Sequence, residues 1–294
     1  LQECIASIRL HGHLHVGRVV VVDNGSVDGS TDFLAGKADV DLVLTGENLG
    51  FGRACNLGAA RSDSAFVLFL NPDACLMPGS LDLPLEFFAR PESEQIGIVG
   101  ISLVTEDGAI QRSCARFPTP WQMLAKSAGI LSLMPKFDFH MVDWDHLETR
   151  AVDHVIGAFY LIRRSLFDRL SGFDELFFVY LEDLDLSRRA ELAGYGTMYL
   201  TEAQAYHKGG GVSEQVKAHR LFYSLRSRIQ YAFKHFSIPA ALLVATATLT
   251  VEPFSRLVFI LLRGRGSDVP DLWRGYKMLW GWVFAQSLRG RFRD

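Results

Sequence analysis

Carboxylates, amides and one imidazole fall in short clusters whose surroundings suit them to chemistry. In Leu68-Phe69-Leu70-Asn71-Pro72-Asp73 an apolar run ends in Asn71 and Asp73, two positions apart, with Pro72 stiffening the turn between them. Mg²⁺ and Mn²⁺ take oxygen ligands, often one or two carboxylates with substrate phosphates, so Asp73 is a candidate ligand for such a cation. A turn carboxylate satisfying nearby backbone is its plain alternative. Tyr206-His207-Lys208-Gly209-Gly210-Gly211 sets an imidazole, a frequent metal ligand, beside glycines that let backbone approach a ligand closely. In Phe177-Phe178-Val179-Tyr180-Leu181-Glu182-Asp183-Leu184-Asp185 three carboxylates crowd the expected start of a helix, whose dipole favours their ionised forms by about 0.3–1 kcal/mol. Asp185 precedes Arg188 and Arg189 by helical spacing and reads as a surface ion pair. Glu182 and Asp183, behind an aromatic run, remain as candidate proton acceptors.

Two further clusters sit on turns. Val19-Val20-Val21-Val22-Asp23-Asn24-Gly25-Ser26 is a buried strand running into an acidic, glycine-bearing turn, with Ser26 or Asp28 available to cap a helix. Ligands of open α/β sheets bind beyond the carboxyl ends of strands, so Asp23 is placed to accept hydrogen bonds from a base or ribose, whereas Asp28 reads as a plain cap. Asn48-Leu49-Gly50-Phe51-Gly52-Arg53-Ala54-Cys55-Asn56 carries G-x-G-x-x-C, one glycine short of a dinucleotide fingerprint. With Asp73 about twenty residues on, spacing alone keeps an NAD-type oxidoreductase open.

These clusters need elements to hold them. Apolar runs at residues 18–22, 40–44, 65–70 and 96–104, with helical patterns between the first three, predict an α/β layer around a mostly parallel sheet flanked by helices. Residues 109–118 read as a mixed strand, 121–133 as a helix bracketed by prolines, 138–150 as a polar loop, 152–162 as a buried strand, and 183–193 as a helix stopped by Gly194. From about residue 212 the pattern is helical to the end. Residues 238–251 and 254–262 are apolar but broken by Glu252-Pro253, and neither reaches the roughly 18–20 residues that crossing a bilayer requires. An interfacial or re-entrant pair fits better, with Arg226, Arg228, Lys234, Arg263 and Arg265 near lipid headgroups. A helical cap on the main domain or a homo-oligomer interface is the alternative use of these helices. The expected division is therefore residues 1–212 and 213–294.

Composition narrows the class. In 294 residues, 49% apolar and 21% charged, a disordered or collagen-like chain is excluded. The net charge of −3 hides an asymmetry, because residues 217–294 carry 13 Lys/Arg against 4 Asp/Glu while residues 1–216 carry 17 against 29. An acidic body argues against nucleic acid as partner, and a basic, apolar tail suits the anionic inner membrane surface. Cys4, Cys55, Cys75 and Cys114 show no zinc-ligand spacing, and no secretory leader opens the chain, so we expect reduced thiols and a cytoplasmic setting, peripheral on the membrane face.

Taken in order, D-N-G-S-x-D-G-S, N-L-G-F-G-x-A-x-N, L-N-P-D, G-A-F-Y-L-I-R-R, F-x-x-Y-L-E-D-x-D-L-S-x-R and H-x-x-G-G resemble glycosyltransferase family 2, in its bacterial rhamnosyltransferase-like branch, over about residues 1–215. The resemblance implies a GT-A fold and an inverting transfer from a nucleoside-diphosphate sugar, dTDP-L-rhamnose in this branch, to a glycan or polyprenyl-linked acceptor in surface polysaccharide synthesis. It implies Asp183 as catalytic base with Glu182 beside it. Asp73 becomes the surviving carboxylate of a D-x-D motif whose first position is Asn71, and His207 completes the protein ligands of Mg²⁺ or Mn²⁺. Asp23, Asn24, Asn48, Gly50, Phe51, Arg53, Asn56 and Asn71 are the residues expected around the donor. It also implies a nucleotide-contacting strand ahead of the helix that opens at Leu1. The rival to catalysis is an inactive membrane-bound module that binds glycan or nucleotide.

Overall fold

The computed structural model describes residues 1–209 and 217–289. In chain order the helices are α1 (Gln2–His11), α2 (Phe51–Ala59), α3 (Asp82–Phe88), α4 (Pro120–Ser127), α5 (Ile130–Leu133), α6 (Arg164–Arg169), α7 (Glu182–Leu192), α8 (Lys217–His235), α9 (Ile238–Thr250), α10 (Glu252–Leu262) and α11 (Val269–Arg289). The strands are β1 (Val20–Asp23), β2 (Asp41–Leu44), β3 (Phe66–Leu70), β4 (Ala74–Leu76), β5 (Ile96–Val104), β6 (Cys114–Ala115), β7 (Arg150–Val152), β8 (His154–Val155), β9 (Phe159–Arg163) and β10 (Gly196–His207). The chain divides into two compact units: residues 1–117, 144–178 and 182–209 in the first, residues 118–143, 179–181 and 210–294 in the second. The expected boundary at 212/213 lies outside the described residues. The second unit also takes in α4 and α5, which sequence spacing had left with the α/β part.

In the first unit a six-stranded sheet runs β3-β9-β5-β10-β4, with β7 alongside β10. Ile98, Val99, Ile101 and Leu103 of β5 are all buried, so neighbouring residues point to opposite faces and both faces are covered. An uninterrupted apolar strand is what such a central position selects. β1 and β2 form a separate parallel pair over Ile5, Leu34 and Val40.

The α/β expectation holds, but the sheet is mixed rather than mostly parallel. β5 and β10 run parallel, whereas β3 and β5 each pair antiparallel with β9, and β10 pairs antiparallel with β4 and β7. Apolar run length reports burial and carries no information on direction. No α-helix joins β1 to β2; a single 3₁₀ turn, Asp32–Leu34, does so, and the expected helix cap at Ser26 or Asp28 is a loop. The predicted strand 152–162 is three pieces. Asp153 leaves the ladder to accept the Phe117 N–H at 2.8 Å. The 121–133 helix breaks at Gly129, whose φ of +76° starts α5 afresh.

The second unit is helical. Leu225, Ile229, Leu272, Tyr276 and Leu279 pack α8 against α11, and α9 and α10 meet at a 43° bend. Among the described residues no single helix is long and apolar enough to cross a membrane. At the bend sits Glu252, 1% exposed, bonded to Arg256 at 2.7 Å and to Ser127 at 3.0 Å and paired with Arg228. Arg228 is thus a buried structural cation and not a headgroup contact, while Arg263 and Arg265 are exposed.

Candidate active site

The loop after β1 is organised by its own side chains. Asp23, buried, accepts the Ser26 N–H at 2.7 Å on Oδ1 and the Thr31 hydroxyl on Oδ2, and these two bonds hold its carboxyl below the usual range, hence ionised. Asn24 accepts the Leu49 N–H at 2.8 Å and donates to Asn48 Oδ1 and the Gly50 carbonyl, both at 3.1 Å. Asn48 accepts the Gly50 N–H at 3.0 Å. The two amides therefore brace the β1 loop to the turn that starts α2.

Gly50 is required there. Its φ is +88°, and a Cβ would stand 2.4 Å from the Phe178 carbonyl oxygen, the acceptor of the Phe51 N–H at 2.7 Å. Farther along α2, Asn56 exchanges two 2.9 Å hydrogen bonds with the Phe173 backbone, and Arg53 pairs with Glu175 at 3.6 Å on the surface. The structure gives Asn24, Asn48 and Asn56 loop-bracing roles, with their amides engaged inside the protein.

Asn71 and Asp73 follow β3. The Asn71 N–H bonds to Ala158 at 3.1 Å, next to Gly157. Because β4 pairs with the end of β10, His207 lies opposite Ala74, and the Lys208 N–H bonds to the Asp73 carbonyl at 3.1 Å. His207 Nε2 then stands 3.5 Å from Asp73 Oδ1, and His207 Nδ1 is 2.8 Å from Gln111 Oε1. An amide oxygen only accepts, so Nδ1 carries a proton there, and Nε2 is the ring atom left to meet Asp73, as a donor when protonated or as a lone pair for a cation when not. A hydrogen bond donated by His207, followed by its charge, holds the Asp73 carboxyl below its ordinary value.

Sequence reasoning missed Gln111. Its only signal is Asp107-Gly108, a turn pair that folds the chain back along β5, where the Gln111 N–H bonds to Leu103 at 2.8 Å. Gly210 and Gly211 of the His207 motif lie outside the described residues.

The third part is the start of α7. Tyr180 and Leu181 both have left-handed backbone, φ +69° and +66°, which costs non-glycine residues about 1–3 kcal/mol each and turns the chain sharply into Glu182. Asp183 Oδ2 accepts the Gly157 N–H at 2.8 Å, and Oδ1 accepts the Leu184 N–H at 2.8 Å. A Cβ on Gly157 would lie 3.4 Å from Asp183 Oδ2 and 3.8 Å from the Phe51 ring, so both side chains flank that glycine. Asp73 and Asp183 are thus joined through the short backbone path Asn71, Ala158, Gly157.

Glu182 differs from its neighbour. It is 5% exposed, its Oε2 has no hydrogen-bond partner, and burial followed by the charge of Asp183 pushes its carboxyl well above the usual range. Burial thus favours the protonated form of Glu182, while Asp183 beside it is partly exposed and held by backbone donors. Asp185 is fully buried, bonded to Arg189 at 2.7 Å, and Arg189 in turn holds the Leu170 and Gly172 carbonyls. The surface pair expected there is an interior brace, because α7 turns that face inward.

Brace loops beyond β1, an Asp/His pair, and a semi-exposed carboxylate held by backbone donors make up the candidate site. Residues 1–170 match glycosyl transferase family 2, and the chain belongs to that family. It is 29% identical to N-acetylglucosaminyl-diphospho-decaprenol L-rhamnosyltransferase of Mycobacterium tuberculosis, over 80% of each chain. It is 27% identical to rhamnosyltransferase WbbL of Escherichia coli K12, over 64% of this chain and 72% of that one. The crystal structure of GalNAc-T7 with UDP, GalNAc and Mn²⁺ matches 90% of this chain and 55% of that chain at 11% identity, with a TM-score of 0.51, a likeness of fold. The chain is a GT-A glycosyltransferase of the rhamnosyltransferase-like kind, and the oxidoreductase reading falls away.

Proposed function

We propose that the protein transfers L-rhamnose from dTDP-L-rhamnose to a polyprenyl-diphosphate-linked glycan at the cytoplasmic membrane face, with inversion at the anomeric carbon. The sugar and the lipid-linked acceptor are suggested by the decaprenol-linked and WbbL relatives. The observation that carries the reading is the pairing of Asp73 Oδ1 and His207 Nε2 at 3.5 Å, with the far ring nitrogen held by Gln111. Two electron-donor atoms facing each other across that gap suit a shared cation, and metal-binding imidazoles are oriented by such a partner. Among the described residues no third His, Cys, Asp or Glu joins them, so phosphate oxygens and water would fill the remaining positions.

Asp73 and His207 would hold Mg²⁺ or Mn²⁺, which supplies positive charge against the departing diphosphate. Asp183 takes the proton of the acceptor hydroxyl as that oxygen attacks, a contribution of about 10² to 10⁴ in rate. Its backbone donors fix the carboxylate before substrate arrives. Asp23, ionised and with lone pairs to spare, receives the base or ribose of the donor. Exposed Leu242, Leu243, Phe254, Val258, Leu261 and Leu262 of α9 and α10, followed by exposed Arg263 and Arg265, suit an interfacial helix pair on anionic lipid.

Transfer of radiolabelled rhamnose to a polyprenyl-diphosphate N-acetylglucosamine acceptor tests this. Activity should require Mg²⁺ or Mn²⁺, and Asp183→Asn should lower turnover by about 10² to 10⁴ while donor binding by calorimetry persists. Undiminished turnover in that variant removes Asp183 as base, and turnover in excess chelator removes the cation site.

A further inference from the structure

His154 is a buried imidazole that none of the steps above employs. It is 4% exposed, and its Nε2 stands 3.7 Å from Asp183 Oδ2, longer than a hydrogen bond and close enough for its dipole to act on the carboxylate. Its Nδ1 is 3.0 Å from Ser187 Oγ, and Ser187 Oγ is 3.0 Å from the Tyr160 hydroxyl, both partners buried. Ser187 follows Asp183 by four residues on α7, so one helix face presents the carboxylate and the hydroxyl to the two nitrogens of the same ring.

The chain of hydroxyls has a preferred direction. Tyr160 is pushed far up by burial and keeps its proton, which it can donate to Ser187; Ser187 then donates to Nδ1, leaving the ring proton on Nε2, toward Asp183. The reverse direction would aim an Nε2 lone pair at an ionised carboxylate in a buried site, an unfavourable approach of two acceptors. We infer that His154, its tautomer set by Ser187 and Tyr160, is a positioning residue that turns an Nε2–H toward Asp183 and holds that carboxylate ready in its ionised form. This rests on Asp183 being the base.

Among the described residues, ionisable groups on the elements adjoining the ring include Glu182 and the Asp185–Arg189 pair on α7, Tyr160 on β9, Asp153 beside it in the chain, Arg116 next to its β6 partner Ala115, and Tyr199 on β10. Any titration of the ring is read against these.

Long-range ¹H–¹⁵N spectra of ¹⁵N-histidine-labelled protein report the tautomer without needing turnover. The His154 signals, assigned by their loss in His154→Gln, should show a protonated Nε2 and an unprotonated Nδ1. Ser187→Ala should turn that single tautomer into a mixture in a protein of unchanged circular dichroism. A protonated Nδ1 in the wild type, or no response to Ser187→Ala, overturns the proposal even if transfer is intact. In the transfer assay, His154→Phe should move the acid limb of the pH–kcat profile upward by about one unit, because loss of a donor disfavours the carboxylate, while KM changes little. His154→Gln, whose amide keeps a donor near the Nε2 position, should restore it; equal profiles for wild type and His154→Phe would also overturn the proposal. A chain that shows the expected tautomer and no transfer from dTDP-L-rhamnose would instead count against the assigned donor.

Discussion

Two glutamates open helices in different units, α7 and α10, and both are almost entirely buried, yet their surroundings push the two carboxyls in opposite directions. Around Glu252 burial alone would raise the carboxyl, but Arg228 and Arg256 outweigh it, and with Ser127 they occupy both oxygens, so the group is held below its ordinary value. Around Glu182 burial and the adjacent Asp183 act in the same direction, Oε2 is orphaned, and the group is held above it. The difference teaches where each part of the molecule spends its polar contacts. A helix bend that must stay put is locked by a fully satisfied ion cluster. The start of α7 leaves one carboxyl buried and without a partner for Oε2, an environment that favours its protonated form.

The contrast can be broken most forcefully at Arg228. Arg228→Met strands a buried, half-paired carboxylate and should cost about 3–5 kcal/mol, read from the shift in urea midpoint at constant slope. Adding Glu252→Met should recover most of the loss. Ser127→Ala removes one charge-assisted bond from the same cluster and should cost about 1.5–3 kcal/mol.

Opposite pH slopes sharpen the comparison further. Glu252, depressed in the folded state, contributes stability that is present above the ordinary glutamate value near 4.5 and is lost as pH falls through its lower folded value. Glu182, raised in the folded state, has the reverse linkage. The unfolded chain releases its proton near 4.5 while the folded chain keeps it, so its contribution is full below that pH and fades as pH climbs toward the raised value. Glu182→Gln should therefore flatten the stability profile above pH 4.5, and Glu252→Gln the profile below it. The smallest effect is on chemistry: Glu182→Gln should lower transfer by less than about tenfold, against the 10² to 10⁴ expected for Asp183→Asn. Equal losses would mean that the two carboxyls act as one coupled unit.

Much of this arrangement was legible in the residues. The strand-end positions of Asp23 and Asp73, the helix start at Glu182 and the break at Glu252-Pro253 all follow from apolar runs meeting turn residues. Sheet direction was not legible, because burial selects the same apolar residues whichever way a strand runs. Asp185 and Arg228 were read as surface charges and are interior ones, since helical spacing identifies a partner without saying which face turns inward. Gln111 and His154 escaped notice for a different reason. Each acts through a neighbour more than 25 residues away, Asp183 and Ser187 for His154 and His207 for Gln111, so only the folded chain brings cause and effect together.

The Phe178 carbonyl takes the amide hydrogen of Phe51 and leaves no room for any side chain at Gly50. It thereby rivets the turn read as donor-facing to the segment that leads, four residues later, into Glu182. Whatever displaces one must tug the other, so crowding at that joint should degrade sugar-nucleotide capture and proton removal together, and selection could not readily retune either half of the reaction in isolation.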